Sequence, residues 1–385
     1  MKTLISFLGK GDYREVTYKL DGQEFKSKLS IGPIKEHFQP DQIYVVGTEE
    51  SRWDLLAGLD YKKIIIPSGK DEAELWQIFD IMAENLKTLN KGSGQGQSKN
   101  ELIFDITHCF RSVPFFVVIL ARFIEFINKD VCIHNIFYGF IDNQTMESKI
   151  VDLAPLLDLL GFINSMNSLE KYGDPEDISE LLGQKERQLW ESKRVQPPAL
   201  KKLEKTLNTL TAITKMTYIP QLNRIAEDLD SLLKDQALID EARAYFRPLL
   251  YMKDRLEKMA QRFKISPEWR AELEIARWYN DNRHPSQALL VLREAIITYV
   301  CMEKSLDPYD GEKREEIESE LNADRMTKEE PLYKFWDSVA QYRNRTAHAL
   351  TKKNTQEINP EKAQRKVQQY IEEAERILTG EGETA

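Results

Sequence analysis

The sequence predicts two architectures in one chain: an N-terminal doubly wound α/β domain, then a helical connector leading to a C-terminal all-helical domain. Three observations carry this. Short apolar runs alternate with helical patterns over roughly the first 150 residues. Strand signals stop after about residue 153. The chain has 385 residues, enough for two or three domains. The predicted boundaries are 1–153, 154–265 and 266–385.

Thr3 to Leu8 reads as a first buried strand, ended by the turn Gly9-Lys10-Gly11. Glu15 to Leu20 and Glu24 to Leu29 flank Asp21-Gly22, a pair that tolerates positive φ and so predicts a hairpin. Ile43 to Gly47 is a second buried strand, and Lys63 to Ile66 a third, stopped by Pro67. Leu75, Trp76, Phe79, Met82 and Leu86 recur at helical spacing. Gly92 to Ser98 reads as a loop, and Leu102 to Ile106 as a fourth strand. Ser112 is placed to cap the next helix, with Pro114 tolerated in its first turn. Val131 to Phe140 is a fifth strand, and the alternation implies a mostly parallel sheet.

From residue 154 the periodicity is helical. Leu203, Leu207, Leu210 and Ile213 make one stripe, and Ile225, Leu229, Leu232 and Leu233 another. Ile265-Ser266-Pro267 marks a boundary, with Ser266 as cap and Pro267 in the first helical position. The last helix carries Val367, Tyr370, Ile371, Ala374, Ile377 and Leu378 on one face and stops at Gly380.

Composition narrows the function. Lys and Arg number 54 against 63 Asp and Glu, a formal charge of −9. Such a chain is no basic coat for nucleic acid, so any phosphate ligand must be met at local basic sites. Cys109, Cys132 and Cys301 have no metal-site spacing and form no disulfide framework, so free buried thiols are expected. No leader pattern opens the sequence, and no run reaches ~18 apolar residues. A cytoplasmic protein without a membrane span is expected.

Two constellations can carry chemistry. In an open α/β sheet, ligands bind at the carboxyl ends of the strands. There the sequence sets Gly9-Lys10-Gly11-Asp12-Tyr13, Gly47-Thr48-Glu49-Glu50-Ser51, and Asp105-Ile106-Thr107-His108-Cys109-Phe110-Arg111-Ser112. Small residues permit close backbone approach, and Lys10 and Arg111 supply charge. Thr48, Thr107 and Ser112 supply hydroxyls, and a helix start at Ser112 supplies amides suited to a phosphodiester. No GxGxxG or GxxxxGK[ST] is present, which argues against a dinucleotide or NTP site. Each residue alone reads equally well as a cap or a solvated charge.

The second constellation is Arg343-Asn344-Arg345-Thr346-Ala347-His348. A histidine moves protons near neutral pH, and an arginine presents a planar fork to phosphate. With the substrate's own 2′-hydroxyl as nucleophile, this set can cleave RNA without a metal. The same spacing also arises among plain surface charges. His37 and His134 read as structural, and His284 as a solvated helix boundary.

These segments together resemble the CRISPR-associated CARF–HEPN ribonucleases of type III systems. The N-terminal loops, with Trp53 and Phe110-Arg111-Ser112-Val113-Pro114, are similar to the CARF pattern, and Arg343 to His348 is similar to the HEPN R-x-x-x-x-H motif. Position 109 is Cys where the pattern commonly has a small residue. The resemblance implies a Rossmann-like CARF domain and an all-helical HEPN domain. It implies activation by a cyclic oligoadenylate, the tetra-adenylate first and the hexa-adenylate second, held by Gly9, Lys10, Thr48, Thr107, His108, Arg111 and Ser112. It implies cleavage of single-stranded RNA by Arg343, Asn344 and His348 at a composite site in a homodimer or higher homo-oligomer, with no metal and no cofactor. Arg345 is a further candidate for RNA contact, and Glu294 for orienting the motif arginine. Two alternatives stay open: a ring nuclease that degrades the activator in the N-terminal pocket, and a ligand sensor without catalysis.

Overall fold

The computed structural model describes residues 1–87, 89, 99–109, 113–142, 144–265, 267–324, 330–347 and 359–380. The expected loop at Gly92 to Ser98 and the expected cap at Ser266 lie outside the described residues. Two compact units divide the chain at Leu160 and Gly161.

The N-terminal unit runs through β1 (Lys2–Leu8), β2 (Val16–Leu20), β3 (Gln23–Ser27), α1 (Ile31–Phe38), β4 (Gln42–Gly47), β5 (Lys62–Ile65), α2 (Glu72–Leu86), β6 (Asn100–Asp105), α3 (Val113–Ile127), β7 (Val131–Asp142) and β8 (Glu147–Asp152). They form one sheet in the order β3-β2-β8-β7-β6-β1-β4-β5. The stretch from β7 to β5 is parallel throughout. Antiparallel pairing enters between β7 and β8 and between β2 and β3.

The apolar runs become central strands because helices cover both faces. Along β1, Ile5 and Phe7 point into a cluster with Ile78 and Met82 of α2 and Val117 and Leu120 of α3. Leu4 and Leu8 point the other way, into a cluster with Ile31 and Ile34 of α1. The β2–β3 turn has φ of 47° at Asp21 and 80° at Gly22, the conformation that the Asp-Gly pair predicts. Two elements were not legible beforehand. The first is α1, whose opening turn contains Gly32 and Pro33. The second is β8, where only Ser148 and Ile150 are buried.

The second unit is helical. Its elements are α4 (Leu157–Tyr172), α5 (Glu176–Lys193), α6 (Pro198–Met216), α7 (Leu222–Leu233), α8 (Gln236–Tyr245), α9 (Pro248–Arg262), α10 (Glu268–Asp281), α11 (Pro285–Glu303), α12 (Gly311–Asp324), α13 (Pro331–Ala347) and α14 (Pro360–Thr379). One apolar cluster extends from Phe162 to Leu378. Pro267 stands at the N-cap of α10, one position before the helix proper. On α14, Val367, Ile371 and Ala374 are fully buried, and Gly380 follows at φ 73°. Cys301 is buried, Cys109 and Cys132 are half-buried, and all three are free thiols.

Candidate functional site

Three loops meet where β6, β1 and β4 end side by side. Gly9 continues β1, and its N–H donates to the Tyr13 hydroxyl at 2.9 Å. A Cβ at this position would lie 2.9 Å from that hydroxyl and 3.1 Å from the His108 carbonyl, so only glycine lets the two loops approach. The Gly9 carbonyl accepts from the Arg52 N–H at 3.2 Å, which ties the β1 loop to the β4 loop.

The β4 loop is fixed by Ser51. Its hydroxyl donates to the Leu8 carbonyl at 2.7 Å and accepts from the Thr48 N–H at 2.9 Å. The Trp53 indole N–H closes the turn on the Thr48 carbonyl at 2.9 Å. Thr48 is therefore buried, with its hydroxyl 3.3 Å from that of Ser51. Lys10 is paired with Glu50, so an incoming anion competes with a carboxylate for the one candidate cation described here.

Asp105 ends β6 fully buried, and it is the anchor that sequence reasoning missed. Its Oδ2 accepts from the hydroxyls of Ser6 and Ser30, each at 2.7 Å, and its Oδ1 accepts from the Thr107 N–H at 3.1 Å. The buried charge is thus held by three donors rather than by a cation. Its presence at the mouth of the β6 loop was visible, but its partners lie on β1 and before α1, far away in sequence.

His108 packs edge-on against Tyr13 with ring centroids 4.7 Å apart. The Ser30 N–H donates to its Nε2 at 3.3 Å, and the Tyr18 hydroxyl lies 3.4 Å from the same nitrogen. Nε2 therefore carries the lone pair, and Nδ1 carries the proton of the neutral ring. Burial pushes the imidazole below its ordinary pKa, against the opposing pull of the Asp105 carboxylate. The Thr107 hydroxyl accepts from the Gly139 N–H at 2.9 Å, so β7 holds this loop from the other side. Burial pushes the Cys109 thiol up, which leaves it protonated. Gly9, Lys10, Thr48, Thr107 and His108 are thus brought together, while Arg111 and Ser112 lie outside the described residues.

In the helical unit, α13 carries Arg343 and Asn344, and Arg343 Nη1 donates to Asn344 Oδ1 at 3.1 Å. Arg343 Nε is buried without a partner. His348 lies outside the described residues. Glu294 of α11 is engaged elsewhere: it accepts from Arg293 at 2.6 Å and from Arg314 at 2.7 Å. Arg314 also donates to the Thr298 hydroxyl at 2.9 Å. Beside this group sits Glu272 of α10. Burial pushes its carboxyl up to about 7, with Thr298 and Arg314 pulling it back, and its Oε2 has no partner. Among the described residues no group of acidic, His and Cys side chains is arranged to hold a metal. No helix there is long and apolar enough to cross a membrane.

Comparison with known proteins places this geometry. The family described as "CRISPR system endoribonuclease Csx1, CARF domain" matches residues 3–74, which span β1, β4 and the loops after them. Over those residues the first unit is similar to a CARF domain. The family described as "CRISPR-associated protein MJ1674, second domain" matches residues 158–267. The CRISPR-associated protein MJ1674 of Methanocaldococcus jannaschii is 24% identical, in an alignment covering 94% of this chain and 64% of that protein. The chain thus spans somewhat under two thirds of that relative's length. What the chain shares with these proteins is a likeness to a CARF domain over part of its first unit and to a CRISPR-associated protein over most of its length. The first unit sets its convergent loops at the carboxyl edge of the parallel strands, the edge at which open α/β sheets bind their ligands.

Proposed function

We propose that the chain is a cyclic-oligoadenylate-activated, metal-independent endoribonuclease acting on single-stranded RNA. CARF domains as a class bind cyclic oligoadenylates, and Csx1 is described as an endoribonuclease. The observation that carries the reading is Arg343. It is a guanidinium on α13 with one side-chain amide neighbour, an unpartnered Nε and, among the described residues, no carboxylate paired with it. A standing, half-buried cation of this kind fits the charge that develops on phosphorus during transesterification.

In this reading the three loops of the CARF domain hold the activator's phosphodiesters and adenines, with Gly9, Lys10, Thr48, Thr107, His108, Arg111 and Ser112 as contacts. Residues 266–385 form the ribonuclease domain. The RNA 2′-hydroxyl attacks the adjacent phosphorus, His348 moves the proton, Arg343 offsets the charge, and Asn344 holds the arginine fork. One arginine and one histidine are a sparse set. A homodimer or higher homo-oligomer supplies both an acid and a base. The ring-nuclease alternative is less well supported, because His108 Nε2 is already taken by the Ser30 N–H.

The test incubates labelled single-stranded RNA with the protein, EDTA and a panel of cyclic oligoadenylates. Cleavage with one ring size is expected. His348→Ala should lower the rate by about 10²–10⁴-fold and Arg343→Ala by about 10²–10³-fold, with ring binding intact. Absence of cleavage with every ring size refutes the reading.

A further inference from the structure

β3 is the last strand of the sheet on its side, and among the described strands only β2 pairs with it. Leu20 and Gln23 close the Asp21-Gly22 turn, so hydrogen-bonded and open pairs alternate from there along the hairpin. Glu24 and Lys26 fall on the open pairs. Their N–H and C=O groups therefore point out of the sheet edge, away from β2. Outside the sheet's own ladder no described group takes them, and both residues are exposed. Beside this edge runs a groove of about 930 Å³, lined by β3 from Phe25 onward, by α1 and by residues 55–59. Leu29, Pro33 and Leu56 are buried in its wall. That volume lies at the upper end of ligand clefts and takes far more than a single ion.

Charge decides the occupant. Lys26, Lys28 and Lys35 line the groove, all three exposed and none in an ion pair among the described residues. Glu36 is the one carboxylate in the lining, so the groove is basic in a chain whose formal charge is −9. Neighbouring carboxylates are engaged elsewhere. Glu24 faces Lys19 at 3.6 Å, and Asp54, which feels the charge of Lys28, is held by Arg52 at 2.9 Å. The three cations are point charges on flexible stems, with no guanidinium fork among them. The one aromatic ring in the lining, Phe25, packs against the same cluster as Ile31 and Ile34 of α1. A single-stranded nucleic acid needs open rings to stack on, so a phosphate backbone fits this groove less well than carboxylates do. Lysines on an edge strand also discourage unplanned pairing, but they repel only neutral and basic strands and admit an acidic one. An extended peptide meets both demands, with its main chain on the open edge and its side chains toward the lysines.

We propose that β3 accepts an added strand from an extended acidic peptide, with Lys26, Lys28 and Lys35 meeting its carboxylates. This goes beyond the proposed function and needs neither RNA cleavage nor a cyclic oligoadenylate. The test titrates the full chain with a fluorescein-labelled peptide of alternating glutamate and valine, about seven residues long, to match β3 with one position beyond each end. A copy with glutamine in place of glutamate and a single-stranded oligouridylate of equal length are the comparators. Fluorescence anisotropy reads affinity, and hydrogen exchange reads the amides of Glu24 and Lys26. The acidic peptide should bind about tenfold more tightly than the glutamine copy and slow both amides. The combined variant Lys26→Glu, Lys28→Glu, Lys35→Glu alters only exposed side chains. It should lose that preference while its β1 amides keep their protection. Equal affinity for the two peptides overturns the proposal, as does binding that leaves both amides exchanging as in the free protein. Tighter binding of the oligouridylate makes the groove a nucleic-acid surface and overturns it too. Displacement of the peptide by a cyclic oligoadenylate assigns the groove to that ligand, with the same result.

Discussion

Replacing Asp105 by alanine strips one buried acceptor from three donors at once. The hydroxyls of Ser6 and Ser30 and the Thr107 amide all lose their partner. Each hydrogen bond to a charged group contributes about 1.5–3 kcal/mol. Part of the sum is recovered, because the desolvation cost of the carboxylate also disappears and the two hydroxyls can turn. The expected loss is about 4 kcal/mol for Asp105→Ala, a large share of the 5–15 kcal/mol available to a typical domain. Asp105→Asn keeps one oxygen for the Thr107 amide, and its NH₂ can donate to serine hydroxyls that accept as readily as they donate. Its expected cost is about 1–2 kcal/mol, the loss of charge assistance alone. Native-state hydrogen exchange of β1 and β6 amides, with urea midpoints, measures both. The Ser30 N–H, which points at His108, should lose protection in step. An alanine variant within 1 kcal/mol of wild type, or an asparagine variant less stable than alanine, would refute the idea that donors rather than packing hold this loop.

Three further outcomes follow from the geometry. The pKa of His108 is depressed in the folded state, so the unfolded chain takes up the proton first as pH falls. The stability of the neutral ring is fully present above the ordinary value of 6.5 and is lost as pH drops through it, and His108→Gln should flatten that dependence in urea midpoints between pH 5 and 8. Glu272 has the opposite sign: its folded carboxyl is raised to about 7, so its contribution is full below the ordinary 4.5 and is lost as pH rises through 7. Glu272→Gln should therefore stabilise the helical unit by about 2 kcal/mol at pH 8, with the gain fading towards pH 5. Gly47→Ala sets a Cβ 2.8 Å from the Ser51 hydroxyl and 3.0 Å from the Leu8 carbonyl, and should lower the thermal midpoint, and weaken binding of the proposed cyclic oligoadenylate by calorimetry, more than Gly11→Ala, whose nearest neighbour is 3.6 Å away.

Central strands were legible because burial on both faces demands uninterrupted apolar runs, as in Leu102 to Phe104. The Asp21-Gly22 turn was legible because its backbone requirement is local. β8 was not: its residues alternate Ser148 and Ile150 with exposed positions, and its pairing comes from β7 and from the distant β2. The α1 helix was obscured by Gly32 and Pro33, and is held by the packing of Ile31 and Ile34 on the sheet. At the site, glycines and hydroxyls announced a close-packed loop edge. The Ser6–Asp105–Ser30 group did not announce itself, since its members are separated by 75 and 99 residues. Glu294 shows the limit of motif reasoning: its helix position suggested service to Arg343, but two other arginines claim it.

The parallel pairing of Thr17 to Lys19 with Glu147 to Lys149 has a consequence for biosynthesis. The β2–β3 hairpin leaves the ribosome early, yet the strand that attaches it to the sheet is made last in its unit. Until then the hairpin is two short strands with no neighbour, a size that is at best marginally stable in water. The nascent first unit therefore gains its far edge only when translation passes Asp152. A message cut before that point yields a chain with an open strand edge on β7, the kind of edge that recruits foreign strands.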